Sequence, residues 1–170
     1  TGIPTNAVYG FTTMRLKLLD ENPDYIAVSF DLPAPTFRHT EYKEYKAHRE
    51  KAPDELHTQM SLVKEIVRAF AIPIYEKAGF EADDVLATLA KAAESKGISS
   101  EIVTGDLDTL QLVSDKIKVL TTRKGITDTV LYGAKEVMER FGLTPEQMPD
   151  FKGLKGDPSD NLPGIPGIGD

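Results

Sequence analysis

The chain has 170 residues, 40% of them hydrophobic and 28% charged, a size and composition that suit one α/β domain with a sizeable core. It has no cysteine, which excludes disulfides, zinc–thiolate sites and cysteine nucleophiles, and no apolar run near the roughly 18 residues of a membrane span. Its net charge of −7, taken alone, argues against a nucleic-acid partner and for a solvated acidic surface.

No signal peptide is visible in the polar start, so the expected compartment is the cytoplasm. Thr1-Gly2-Ile3-Pro4 reads as the middle of a loop and the chain stops inside the turn-like Pro166-Gly167-Ile168-Gly169-Asp170, so a fragment is expected. From Asn6 to Asp20, apolar residues recur at helical spacing (Ala7, Val8, Phe11, Met14, Leu18, Leu19), and Asn22-Pro23-Asp24 ends the helix. Tyr25 to Phe30 reads as a buried strand ending at Asp31. Pro53 opens a helix to about Ala71, with Leu56, Met60, Val63, Ile66, Val67 and Phe70 on one face. Ile72 to Tyr75 is a short strand. A helix from Glu81 to about Lys96 is stopped by Gly97. Glu101 to Thr104 is a strand, Leu107 to Val113 a short helix. Ile117 to Thr121 and Thr127 to Leu131 flank a turn at Lys124-Gly125. Ala134 to Phe141 is a helix, and the tail from Phe151 shows little regular pattern. Strands alternating with helices imply an α/β fold with a mostly parallel sheet.

Ligands of such sheets bind at the carboxyl ends of the strands, and there the acids gather. Asp31 follows the first strand. Glu81, Asp83 and Asp84 open a helix after the second. Asp106 and Asp108 follow the third, and Asp157 and Asp160 sit in the glycine-rich tail. Glu81 and Asp84, three apart, are expected to share a helix face, with Asp83 pointing elsewhere unless the turn is irregular. So many carboxylates repel unless a divalent cation joins them. Oxygen ligands without Cys or His suit Mg2+ or Mn2+, and the set is large enough for two ions acting in phosphoryl transfer. With the eight set aside the net charge moves from −7 to +1. Any one of these acids alone reads as a helix cap or surface residue; three groups at three strand ends do not.

Tyr42, Tyr45, Lys46 and Arg49 lie at i, i+3, i+4 and i+7. If helical, they form a stripe of two rings and two cations that suits bases and phosphates, the alternative being a solvated amphipathic helix. Lysine or arginine beside a metal-bound phosphate also stabilises developing charge. Lys152-Gly153-Leu154-Lys155-Gly156-Asp157 and Pro163-Gly164-Ile165-Pro166-Gly167-Ile168-Gly169 look built for close backbone approach to phosphate, or form an ordinary loop.

Phe30-Asp31, Pro35-Thr36-Phe37-Arg38-His39, Tyr45-Lys46-Ala47-His48-Arg49, Glu81-Ala82-Asp83-Asp84-Val85, Thr104-Gly105-Asp106 with Asp108, Gln111 and Leu112, and Gly156-Asp157 with Ser159-Asp160-Asn161 together resemble the 5′-nuclease domains of bacterial DNA polymerases I and their flap-endonuclease relatives. The resemblance implies a PIN-like fold over residues 1–150, lacking the family's first strand and its Asp, and the start of a helix-three-turn-helix (helix-hairpin-helix type) DNA-binding module over residues 151–170. It implies hydrolysis of DNA phosphodiesters at 5′ ends, flaps and nicks, RNA-primed strands included, in replication and repair, beside a polymerase domain in a bacterial, nucleoid-associated parent. The eight acids would bind or organise two Mg2+ or Mn2+ ions. Lys46, Arg49 and Asp106 would be catalytic. Arg38, His39, Tyr42, Tyr45, Lys46, Arg49, Lys155, Gly164, Gly167 and Gly169 would contact DNA, with K+ on the tail carbonyls. Leu107 stands where the family commonly has a basic residue. A non-catalytic, structure-specific DNA-binding fragment is the alternative. A phosphatase of the haloacid dehalogenase type would need Asp-x-Asp where Asp31-Leu32-Pro33 stands.

Overall fold

The computed structural model describes residues 2, 4–50, 52–124 and 128–169. The turn expected at Lys124-Gly125 and the strand start expected at Thr127 run into residues 125–127, outside the described ones. Helix α1 spans Asn6–Asp20 and packs on α3, Asp54–Ala69. Buried Gln59 of α3 ties the two, its Oε1 accepting from Ala7 N at 2.8 Å. Also on α1, Arg15 is 2% exposed, its guanidinium 3.2 Å over the Phe70 ring, a cation–π contact, and without a hydrogen-bond partner among the described residues.

Strand β1 is only Val28–Ser29 and pairs in parallel with β2, Ile74–Tyr75. The longer strand expected over Tyr25 to Phe30 is not formed, and Tyr25 is 80% exposed. Its single neighbour begins after Pro73, whose nitrogen cannot donate to a ladder. Between these strands lies the five-residue α2, Phe37–Glu41. Helix α4, Ala82–Ser95, then leads to β3, Ser100–Val103, a 3-10 turn at Leu107–Leu112, β4 (Ile117–Lys124) and β5 (Asp128–Tyr132).

β3 and β4 are parallel, β4 and β5 antiparallel. Among the described residues no ladder joins β1–β2 to β3–β4–β5. The expected single, mostly parallel sheet is therefore two small ones, both contacting α4. The core lies on β3–β5, where Ala90, Ile102, Leu110, Val113, Ile117, Val119, Tyr132, Val137 and Met148 cluster. Each fully buried aliphatic there contributes about 1.5–3 kcal/mol. Helix α5, Ala134–Phe141, ends at Gly142 with φ +68°, the left-handed cap glycine permits.

The tail is more ordered than its composition suggests. Helix α6 (Met148–Lys155) runs into a small hairpin, β6 (Gly156–Asp157) and β7 (Leu162–Pro163), with Pro158–Asp160 as a 3-10 turn between. Two glycines make it fit. Gly156 has φ +81°, and a Cβ on Gly164 would sit 2.0 Å from the Lys155 carbonyl oxygen. Among the described residues, no helix is long and apolar enough to cross a membrane.

Candidate metal and DNA site

Strand ends and helix starts bring the acids together in two groups. In the first, Asp31, just past β1, accepts from Ala82 N at 2.7 Å at the start of α4. Asp83 in that helix's first turn is pushed up to about 6 by burial, then by Asp106, Asp31 and Glu81, with Lys46 opposing. Asp83 therefore faces the other acids. The expected pairing of Glu81 with Asp84 on one helix face is not what forms. Glu81 is the N-cap rather than part of the first turn, and Asp84 Oδ2 accepts from Glu81 N at 2.9 Å. Both Asp84 oxygens are taken by Arg38, at 2.7 Å each, and this bidentate bond lowers the Asp84 pKa.

In the second group, Asp108, Asp157 and Asp160 each offer an oxygen within 4.8 Å of the others. Gly105, Asp106, Leu107, Asp108, Lys152, Asp157, Ser159 and Asp160 line an open cleft of about 390 Å³ there. Short capping bonds fix the carboxylates. Asp106 Oδ1 accepts from Asp108 N at 2.8 Å, and Asp157 Oδ1 accepts from Ser159 N and Oγ at 2.9 and 2.7 Å. Burial alone would raise Asp157, but Lys152 and Ser159 outweigh it and hold it at about 2. An all-oxygen carboxylate set within this span fits a hard divalent cation such as Mg2+ or Mn2+.

The basic segment reaches both groups, though not as a helix. α2 stops at Glu41 and turns follow, with Lys46 at φ +53°. Lys46 N donates to Asp160 O at 3.0 Å, which pins this turn to the tail. The Tyr45 hydroxyl lies 3.0 Å from Asp160 Oδ2 and 3.3 Å from Glu81 Oε2. Burial, then the two carboxylates, push its pKa well up. Lys46 Nζ is 3.0 Å from both Glu81 oxygens, and Arg49 bonds Asp160 Oδ1 at 2.6 Å and Ser159 O at 3.1 Å.

The remaining residues named from sequence are placed differently. His39 Nδ1 caps α2 by accepting from Thr36 N at 3.2 Å, and its ring meets Tyr45 edge-on. Tyr42 is half-buried at the end of α2. Lys155 lies over the Phe151 ring. Gly164 serves close packing within the hairpin, whereas Gly167 and Gly169 meet open space. Sequence reasoning missed Lys152, whose ammonium bridges Asp108 and Asp157 at 2.7 and 2.8 Å. Burial would lower its pKa, but the two carboxylates raise it. Finding it from sequence requires knowing that α6 is helical and that Gly156 folds the chain back.

Comparison with known proteins fits this arrangement. A family model described as 5′-3′ exonuclease, N-terminal resolvase-like domain, matches residues 1–142. DNA polymerase I of Mycobacterium bovis is 52% identical over 170 residues and that of Bacillus subtilis 50%, each match covering 99% of this chain and 19% of the relative. The chain thus spans about one fifth of the length of these relatives. Bacteriophage T5 5′-exonuclease with bound zinc superposes with a TM-score of 0.78 at 23% identity, covering 98% of this chain and 64% of the phage one. A T5 flap endonuclease in complex with DNA and metal ions gives 0.75 at 22%, covering 98% and 63%. These last likenesses speak to the fold, and the family-model match with the half-identical relatives speaks to descent: the chain belongs to the family of 5′-3′ exonuclease N-terminal, resolvase-like domains.

Proposed function

We propose that this chain is the nuclease part of a bacterial DNA polymerase I and hydrolyses DNA phosphodiesters at or near 5′ ends, at flaps, nicks and RNA-primed strands. The observation that carries the proposal is the convergence of Asp108, Asp157 and Asp160 within 4.8 Å, with Lys46 and Arg49 bonded to acids of the same site. Two Mg2+ or Mn2+ ions would activate water and neutralise phosphoryl charge. Asp108, Asp157 and Asp160 would hold one ion. Asp31, Glu81, Asp83 and Asp106 would hold or orient the other, and Asp84 would fix Glu81 from behind. Lys46 and Arg49 would draw the scissile phosphate in and stabilise charge on it in the transition state; Tyr45, expected from sequence to stack on a base, is buried at 5% exposure and would instead hold Glu81 and Asp160 through its hydroxyl.

By the same proposal residues 1–150 form the PIN-like core. Residues 151–170 begin a helix-three-turn-helix region that grips duplex DNA, with Lys155, Gly167 and Gly169 at its rim and K+ on the tail carbonyls, while Arg38 would meet DNA from α2. The half-identical relatives support a polymerase in the same parent and a bacterial cytoplasmic setting.

The test is cleavage of a 5′-flap DNA in Mg2+ and in Mn2+, beside a chelator and the Asp106→Ala variant. Metal-dependent cleavage that the variant loses by at least about a hundredfold, a cost of roughly 2.7 kcal/mol in the barrier, is the expected outcome. Cleavage undiminished in the variant removes Asp106 from the site. Flap binding in Ca2+ with no cleavage in either metal would favour a DNA-binding module instead.

A further inference from the structure

Lys152 stands apart from the other cations of the site. Lys46 and Arg49 are anchored a second time, through the Lys46 N bond to Asp160 O and the Arg49 Nε bond to Ser159 O. Lys152 extends from the last turn of α6, is 36% exposed, and bonds Asp108 Oδ1 and Asp157 Oδ2. The other Asp157 oxygen is already taken by Ser159. A divalent ion joining Asp108 to Asp157 therefore competes with the ammonium for Asp157 Oδ2 and sits beside it at the Asp108 carboxylate. A hard ion needs its oxygens at about 2.1 Å, so ion and ammonium would be forced within a few ångströms of each other, with like charge.

We infer that Lys152 is an exchangeable internal cation: it neutralises Asp108 and Asp157 in the metal-free chain, yields their oxygens to a divalent ion, and moves onto a phosphate of bound DNA. Metal loading and phosphate binding are thereby coupled, because the ion that enters at Asp108 and Asp157 frees a cation for the substrate. The inference deepens the nuclease proposal and rests on it. A lysine suits the role, since its ammonium is a compact point charge on a flexible four-carbon stem.

The test compares the full chain with Lys152→Met. Mn2+ titration by calorimetry without DNA should show binding about tenfold tighter in the variant, as removal of one competing partly exposed ion pair implies. Affinity for a 5′-flap DNA should be alike for the two proteins in chelator. In Ca2+ it should fall about tenfold in the variant, with a salt slope smaller by about 1. Unchanged or weaker Mn2+ binding overturns the exchange, as does a DNA-binding loss that is equal with and without Ca2+. Should the variant fail to fold by circular dichroism, the unaltered chain decides. Its Lys152 13Cε resonance should shift on Mg2+ titration, and a resonance unmoved at saturation overturns the inference. A chain that binds no Mn2+ at all defeats the nuclease proposal and this inference with it. Mn2+ binding without a response at Lys152 defeats the inference alone.

Discussion

Asp83 is the carboxylate that burial and its neighbours most oppose ionising. Its pKa stands at about 6 against an ordinary 3.8, by burial and then by Asp106, Asp31 and Glu81. A raised folded-state pKa means that the folded chain binds the proton more tightly than the unfolded one. The stability this proton brings is full below about pH 4 and is lost as pH rises through about 6. Asp83→Asn in chelator should therefore leave stability nearly unchanged at pH 4. At pH 7 it should add on the order of 2 kcal/mol, after a discount for partial exposure. Urea unfolding at both pH values checks this, and equal stability of the two proteins at pH 7 would contradict it. Spacing did not reveal Asp83's part. Three-residue spacing places Glu81 and Asp84 on one face, but the capping box and Arg38 turn Asp84 away. The partner that decides is 46 residues distant in sequence.

At the level of elements, the tail hairpin positions two of the three acids of the second group, Asp157 and Asp160. Asp157, Ser159 and Asp160 lie between the two close approaches made by Gly156 and Gly164. An alanine at 164 would put its Cβ 2.0 Å from the Lys155 carbonyl, against backbone that cannot rotate away. Gly164→Ala should cost roughly 1–3 kcal/mol, the usual range for overpacking, and weaken Mn2+ binding. Gly153→Ala, in α6 with nothing within 4 Å of the new Cβ, should leave metal binding intact and add a few tenths to about 1 kcal/mol from helix propensity. Urea unfolding and Mn2+ titration of both variants separate the effects; normal metal binding in Gly164→Ala would free the site from the hairpin. Helices with a continuous apolar stripe were legible in the sequence, α1 and α5 to their end residues. The hairpin was not, because backbone approach rather than side-chain pattern makes it. β1 and β2 shrank to two residues each because strand length depends on pairing partners that a local apolar run does not specify.

Over the whole molecule, net charge misled and charge placement did not. The balance of −7 belongs to eight acids, and without them it is +1. Local sequence pointed to the strand ends where those acids gather and to Lys46 as a cation of the site; it did not show that Lys46 bonds Glu81, and it missed Lys152, which crosses to Asp108 and Asp157. The acids of the site are thus held together by cations from other elements, and a divalent ion that binds only the folded chain should add to their stabilisation. By linkage it stabilises by about 2.7 kcal/mol at a hundred times its Kd, or roughly 5–10 °C in melting temperature for a domain of this size. Melting in Mg2+ or Mn2+ should therefore rise with the logarithm of metal concentration. NaCl at matched ionic strength should not reproduce the rise, since screening weakens the Lys and Arg pairs along with the repulsion. A melting temperature that responds equally to NaCl and to divalent ions would mean that the acids are a diffuse charged surface. A specific divalent response would mean that they form a site whose instability without metal is the counterpart of its affinity for it.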